Sequence, residues 1–161
     1  MHNCALICTG IDRGPVTVTA EARNTAPDLT TIHDWDDVAE ISLTAPTGRL
    51  AVHPLLYLPG ETPPELPVLS PNGPGTYRIR IHARGRDEHY DQVADTPTEE
   101  YHLTCWPAPP TGPLIIRATD HCGYSMRLSA LTTPPTTPTP APPADNPERA
   151  SLLQNLRRSQ R

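Results

Sequence analysis

The clearest pattern in the chain is a strict alternation of apolar and polar, mostly basic, side chains in residues 76–84. The apolar set is Tyr77, Ile79, Ile81 and Ala83, and the set between them is Arg78, Arg80, His82 and Arg84. Successive side chains of a β-strand point to opposite faces, so this alternation predicts a half-buried strand with its apolar side inward and its basic row outward. Gly85 follows and predicts a turn.

Further short runs with strand character lie between turn signals. They cover residues 5–9, 16–23, 37–44, 49–58, 101–106 and 114–119, with a weaker run at 125–131. The turn Pro46-Thr47-Gly48 predicts a hairpin between the third and fourth of these runs. Because no long helical period appears, the prediction is an all-β fold, an antiparallel β-sandwich. Its predicted core is Val16, Val18, Ile41, Tyr77, Ile79, Ile81, Leu103 and Ile116.

The composition changes sharply after residue 131, which predicts three parts. Residues 1–131 form the β-sandwich domain, and residues 132–147 form a Pro/Thr-rich linker with nothing to bury, which predicts disorder. Residues 148–161 form a basic amphipathic tail, predicted to be a short helix that starts at Asn146-Pro147. The tail is either a frayed terminus or a docking segment for an acidic partner or nucleic acid.

Charge divides between the tail and the rest of the chain. The chain has 161 residues and a net charge of −5. It contains no Phe and no Lys, and all 13 of its Lys and Arg residues are therefore Arg. Residues 1–147 carry nine Arg against 17 acidic residues, or −8, and the tail carries four Arg against one Glu, or +3. We find no secretory signal pattern and no apolar run of about 18 residues, so the prediction is a cytoplasmic protein without a membrane segment.

Four cysteines permit disulfides, metal ligation or simple packing. They are Cys4, Cys8, Cys105 and Cys122. His2-x-Cys4-x3-Cys8 and His121-Cys122 could supply metal ligands, but the spacing matches no common zinc motif. In a reducing cytoplasm such residues are buried thiols, so we predict four reduced cysteines, no metal and no cofactor.

No hydrolase, zinc-protease, phosphate-binding or dinucleotide-binding motif occurs, so the chain is predicted not to be an enzyme. Two acidic blocks, 28–40 and 87–100, contain no Arg. Such blocks are either solvated loops or a row of carboxylates that imitates nucleic-acid phosphates. The predicted partner-binding residues are Asp34, Asp36, Asp37, Asp87, Glu88, Asp91 and Asp95. Asp34-Trp35-Asp36-Asp37 could bind Ca²⁺ but lacks the register of a calcium loop. His82 and His102 are predicted to face solvent or to pair with a carboxylate.

Three segments carry a resemblance to known proteins. Residues 75–87 (GTYRIRIHARGRD), 100–110 (EYHLTCWPAPP) and 35–43 (WDDVAEISL) are similar to uncharacterised small proteins of high-GC bacteria. More distantly, the strand order and the ending Tyr-x-Leu-Thr-Cys-Trp resemble the inhibitor of the bacterial competence DNA-entry nuclease. The resemblance implies that Trp35, Arg84, Arg86, Asp87 and Trp106 are signature positions with a structural or recognition role. The linker and the basic tail depart from that inhibitor.

These observations favour a non-catalytic binding protein. The first hypothesis is an inhibitor or immunity-type protein that blocks a nuclease, or a similar protein with a basic cleft, through its acidic loops. The alternatives are a structural or phage-associated interaction module with a tethered basic tail, and a small metal-dependent enzyme. The predicted partner is a protein with a basic surface, and nucleic acid would bind only through the tail.

Overall fold

The computed structural model describes residues 3–55 and 65–132, which form one β-sheet followed by a helix. The strands are β1 (Thr17–Ala22), β2 (Asp37–Ala45), β3 (Gly75–Arg84), β4 (Glu100–Pro107) and β5 (Leu114–Ala118), and the helix is α1 (His121–Thr132). The chain divides into two compact units, Met1–Ala130 and Leu131–Arg161, and the sheet belongs to the first. The predicted linker and tail lie outside the described residues, apart from Thr132 at the end of α1.

The five strands are ordered β1-β4-β3-β2-β5 in a mixed sheet. The pairs β2–β3, β3–β4 and β2–β5 are antiparallel, whereas β1 runs parallel to β4, with Thr17 opposite Glu100. The prediction of a mainly β protein is confirmed. The predicted antiparallel β-sandwich is not confirmed, because the described residues contain one sheet and that sheet is mixed. Alternation marks which side of a strand is apolar but not its direction, so the sequence could not indicate that β1 is parallel.

Five of the predicted strands are found close to their expected bounds. The hairpin is wrong, because β2 pairs instead with β3, with Ile41 opposite Ile79. Residues 5–9 and 49–55 contain no strand, and residues 56–58 lie outside the described part of the chain. The weak run at 125–131 belongs to helix α1, so the fold is not all-β. A run with no clear period cannot separate a strand from a helix.

One face of the sheet carries the main apolar core. Tyr77, Ile79 and Leu103 are buried there, as predicted, together with Leu43 and Cys105. Four other predicted core residues are only partly buried and pack around this set: Val16, Val18, Ile41 and Ile81. Ile116 packs in a separate small cluster with Ile32, Trp35 and Val38.

The second face of the sheet is polar but not solvated. Arg78, Arg80 and His82 were predicted to point outward, yet each is less than a tenth exposed. Carbonyl oxygens of the segments before β2 and after β4 cover this face, because Arg80 donates to Asp28 O at 2.6 Å and Arg78 to Gly112 O at 2.9 Å. Coil segments thus cover the face that a second sheet would cover in a sandwich.

Glu40 neutralises this buried basic row. Its carboxylate accepts from Arg80 Nε at 2.8 Å and from Arg78 Nε at 3.0 Å. The Arg80 guanidinium also lies 5.7 Å from the ring centroid of Trp106, which is buried. Burial of two guanidinium groups is tolerable only because their donors meet a carboxylate, carbonyls and an aromatic face.

Candidate partner-binding site

The turn Arg84-Gly85-Arg86-Asp87 at the end of β3 organises the candidate site. Gly85 has a φ of +80°, and a Cβ there would lie 2.2 Å from Thr98 O, so only glycine fits this turn. The Gly85 N–H donates to Asp36 Oδ2 at 3.0 Å. This bond joins the first acidic block to the turn that precedes the second block.

Arg86 points inward from the turn and is buried. It donates to Asp37 Oδ2 at 2.5 Å and to Asp120 Oδ2 at 2.6 Å, and Arg127 reaches Asp37 at 2.9 Å. Burial alone would lower the pKa of Arg86, but the hydrogen bond and charge of Asp120 and the charge of Asp37 raise it above its ordinary value. Asp37 is therefore part of the interior and not of the surface, contrary to its predicted place in a binding loop.

Gly123 shows how tightly this ion cluster is packed. A Cβ at this position would lie 2.3 Å from Asp37 Oδ2 and 2.7 Å from Arg86 Nη2. The helix therefore approaches the cluster at a residue without a side chain.

Asp87 faces the other way and holds the start of α1. Its carboxylate accepts the N–H of His121 at 2.8 Å and of Cys122 at 2.9 Å. Partial burial raises the pKa of Asp87, but these two backbone bonds outweigh it, so the pKa lies below its ordinary value. Asp120 accepts the next N–H, that of Gly123, at 3.1 Å. Three of the four N–H groups that a helix leaves unpaired at its start are thus satisfied by carboxylates.

The two acidic blocks meet in one open concavity of about 310 Å³. It is lined by Asp34, Asp36, Arg84, Gly85, Asp87, Glu88, Thr98 and Glu100. Arg84 pairs with Glu100, with 2.9 Å between Nε and Oε2, and lies over the Trp35 ring at 4.9 Å. The structure thus brings four of the predicted binding residues together: Asp34, Asp36, Asp87 and Glu88. We call this surface the acidic concavity.

The other predicted residues lie elsewhere. Asp91 and Asp95 are exposed on the loop between β3 and β4 but do not line the concavity. Trp35 and Trp106 are both buried on the polar face of the sheet, so their observed role is packing. Glu100 lines the concavity and was not among the predicted residues, although it belongs to the second acidic block.

Glu99, in the same block, is the most buried acidic side chain of the described residues. It accepts the backbone N–H of Ile11 at 2.6 Å and of Gly10 at 3.1 Å, and also the Tyr101 hydroxyl. Burial and the Glu99 carboxylate both raise the pKa of Tyr101 above its ordinary value. Glu99 therefore ties the N-terminal segment to β4 and is not available to a partner.

The thiols are unpaired, and two of them are buried. Cys105 and Cys122 are inaccessible to solvent, whereas Cys4 is exposed. Burial raises the pKa of the Cys105 thiol to about 12, which keeps it protonated at neutral pH. Among residues 3–55 and 65–132, no three or more His, Cys, Asp or Glu side chains are grouped to hold a metal ion. His2 lies outside the described residues, and the reduced, metal-free state of all four thiols stays a prediction.

Comparison with known proteins found no match to a protein-family model, a curated protein or a solved structure. The resemblance over residues 35–110 therefore stays a prediction. In the part of the chain that the structure describes, no helix has both the length and the apolar character needed to cross a membrane.

Proposed function

We propose that this protein is a non-catalytic binding protein of the cytoplasm, of the inhibitor or immunity type, which blocks a nuclease or a similar protein with a basic cleft. The observation that carries the proposal is the meeting of two acidic blocks, about fifty residues apart in sequence, at the acidic concavity. A cleft built to attract phosphate groups also attracts carboxylates held at the right spacing.

The concavity presents five carboxylates against one guanidinium, and that guanidinium is already paired with Glu100. Two of the carboxylates are fixed by backbone donors: Asp36 by Gly85 N–H, and Asp87 by the start of α1. Groups that are already held in place lose little conformational freedom when a partner binds. This supports recognition by a preformed charge pattern rather than by a loosely solvated loop.

The test reverses two exposed carboxylates of the concavity, Asp34→Arg and Glu88→Arg, in one variant. The matched control combines Asp12→Arg and Glu65→Arg, which change the net charge by the same amount at exposed positions outside both blocks. Asp37 and Asp87 are unsuitable, because one is buried in an ion cluster and the other caps a helix. A partner captured from the native host with the wild-type chain is then used for binding kinetics at low and physiological salt.

We expect the double reversal in the concavity to lower the association rate about tenfold or more at low salt, and the double control to change it less than about threefold. The difference should shrink as salt rises, since exposed charges are screened beyond about 8 Å at physiological ionic strength. An unchanged affinity in the double variant, with circular dichroism showing an intact fold, would show that these loops are only solvated surface.

A further inference from the structure

Three aromatic rings pack against one another on the polar face of the sheet, next to residues of the acidic concavity. His82 on β3 and His102 on β4 stand opposite each other in register, with ring centroids 5.5 Å apart. Trp35 covers both, at 5.3 Å from His82 and 6.2 Å from His102. His82 and Trp35 are each less than a tenth exposed.

The hydrogen-bond partners of the two histidine rings indicate which protonation state of each ring this cluster favours. His82 Nδ1 lies 3.2 Å from the backbone oxygen of His102, so a neutral His82 can donate from that nitrogen. His102 Nε2 lies 3.2 Å from Glu21 Oε1, and Thr104 donates to the same carboxylate oxygen at 3.1 Å. His102 therefore has a carboxylate partner at its ring, whereas His82 is joined to a neutral carbonyl.

The charges around His82 are unfavourable to a second positive charge. Its strand carries Arg80 and Arg84 on either side on the same face. The charged and titratable groups on the surrounding elements include Glu21 on β1, Glu40 on β2, Glu100 and His102 on β4, Arg117 on β5, and Asp28, His33, Asp34 and Asp36 on the covering segment. Glu40 is shared by two guanidinium groups and Glu100 is paired with Arg84. A proton on His82 would thus sit between guanidiniums whose carboxylates are already engaged.

Burial lowers the pKa of His82 below its ordinary value of 6.5, and the charges of His102 and Arg80 lower it further. The bond to the His102 oxygen and the charge of Glu21 oppose this shift but do not cancel it. Below pH 6.5 the unfolded or open form therefore binds more protons than the closed form. The stability that neutral His82 contributes is complete above pH 6.5 and is lost progressively as the pH falls toward the lowered value.

We propose that Trp35, His82 and His102 form a pH-sensitive latch that opens in mild acid and frees Trp35 and the residues just before it, which include Asp34, from the sheet. Asp34 precedes Trp35 and lines the acidic concavity, so opening displaces one of its carboxylates. Asp36 stays bound to Ala83, Gly85 and Thr119. The regulatory consequence, release of a basic partner in acid, rests on the proposed function. The opening itself is a property of the chain alone.

The first experiment measures the hydrogen-exchange protection of the Trp35 indole N–H by NMR at pH 7.5 and 5.5, relative to free tryptophan amide. The two indole signals are assigned with the variant Trp35→Phe. We expect protection to fall in wild type by up to about tenfold, which is the limit for one proton taken up by an open form of ordinary pKa. His82→Gln should show no such fall, and His33→Gln, at an exposed histidine, should behave as wild type.

Constant protection in the wild type, or an equal fall in His82→Gln, would overturn the latch. If His82→Gln fails to fold, the wild type still decides: NMR titration of the His82 ring must give a midpoint below 6.5, and a midpoint at or above 6.5 contradicts the proposal.

A second experiment measures binding of a hexa-arginine peptide at the same two pH values. We expect binding to weaken more between pH 7.5 and pH 5.5 in wild type than in His82→Gln, because the two chains share every titratable group except His82. Peptide binding with the same pH dependence in wild type and His82→Gln, while Trp35 opens, would contradict the regulatory role. If the peptide binds at neither pH while Trp35 still opens in acid, the proposed function is refuted and the latch is not.

Discussion

At the scale of single residues, Glu40 balances the charge of two buried arginines. It is placed on β2 opposite Arg80 of β3, and its two oxygens divide between Arg80 and Arg78. A surface ion pair stabilises a protein by no more than about 1 kcal/mol, but removal of one member of a buried group leaves a charge without its counter-ion. The polar face of the sheet depends on this carboxylate for its charge balance.

We expect Glu40→Gln to lower the free energy of unfolding by about 3 kcal/mol or more, because two buried guanidiniums lose their shared counter-charge while the side-chain volume is kept. Urea unfolding at pH 7 measures the change. The control Glu65→Gln, at an exposed position, should stay within about 0.5 kcal/mol of wild type. Similar stability of both variants would mean that the Arg row is solvated, as first predicted from the alternation.

At the scale of elements, helix α1 is stabilised more by the hydrogen bonds at its first turn than by a buried apolar face. Its exposed apolar residues include Tyr124, Met126 and Leu128, so it has no single buried stripe. Its first turn, by contrast, meets carboxylates from Asp87 and Asp120. Asp120 just before the helix is a recognisable N-cap, but Asp87 comes from another part of the chain, and no local pattern could identify it.

We expect Asp87→Ala to lower the free energy of unfolding by about 1 kcal/mol at pH 7 and to speed hydrogen exchange in the first turn of α1. Because the folded state lowers the pKa of Asp87, its contribution is complete above the ordinary value of 3.8 and is lost as the pH falls through the lowered value. The difference between wild type and variant should therefore narrow in strong acid. Asp95→Ala, an exposed change in the same loop, is the control; equal effects of the two variants would contradict the capping role.

At the scale of the whole molecule, the acidic residues are divided unevenly between the interior and the surface. Four of the acidic residues are buried and engaged internally: Asp37, Glu40, Glu99 and Asp120. The acidic concavity gathers five others on one surface. The average charge of residues 1–147 therefore says less about a partner than the position of these five groups does.

We expect the chain shortened after Thr132 to keep its melting temperature within about 1 °C of the full chain, because a Pro/Thr-rich segment has little apolar surface to bury. A chain ending at Pro147 keeps the linker and lacks the tail, so it separates the two parts. A clear fall in both shortened chains would mean that Leu152, Leu153 and Leu156 contribute to the folded body.

The sequence alone determined where five strands lie and which side of β1, β2, β3 and β4 is apolar. Tyr77, Ile79 and Leu103 are buried as their alternation predicts, because the period of two is a local property of extended backbone. It also placed the two acidic blocks, since charge composition needs no knowledge of contacts.

Only the tertiary structure decided how those elements are used. Strand pairing set His82 against His102 and β1 parallel to β4, and coil segments buried an Arg row that alternation assigned to solvent. The tertiary structure also places Asp37 in the interior, where it is bound to Arg86. Asp34, three residues earlier in the chain, lines the acidic concavity instead. Such outcomes depend on contacts between residues distant in the chain, and a local pattern carries no information about which distant groups will cover or pair with it.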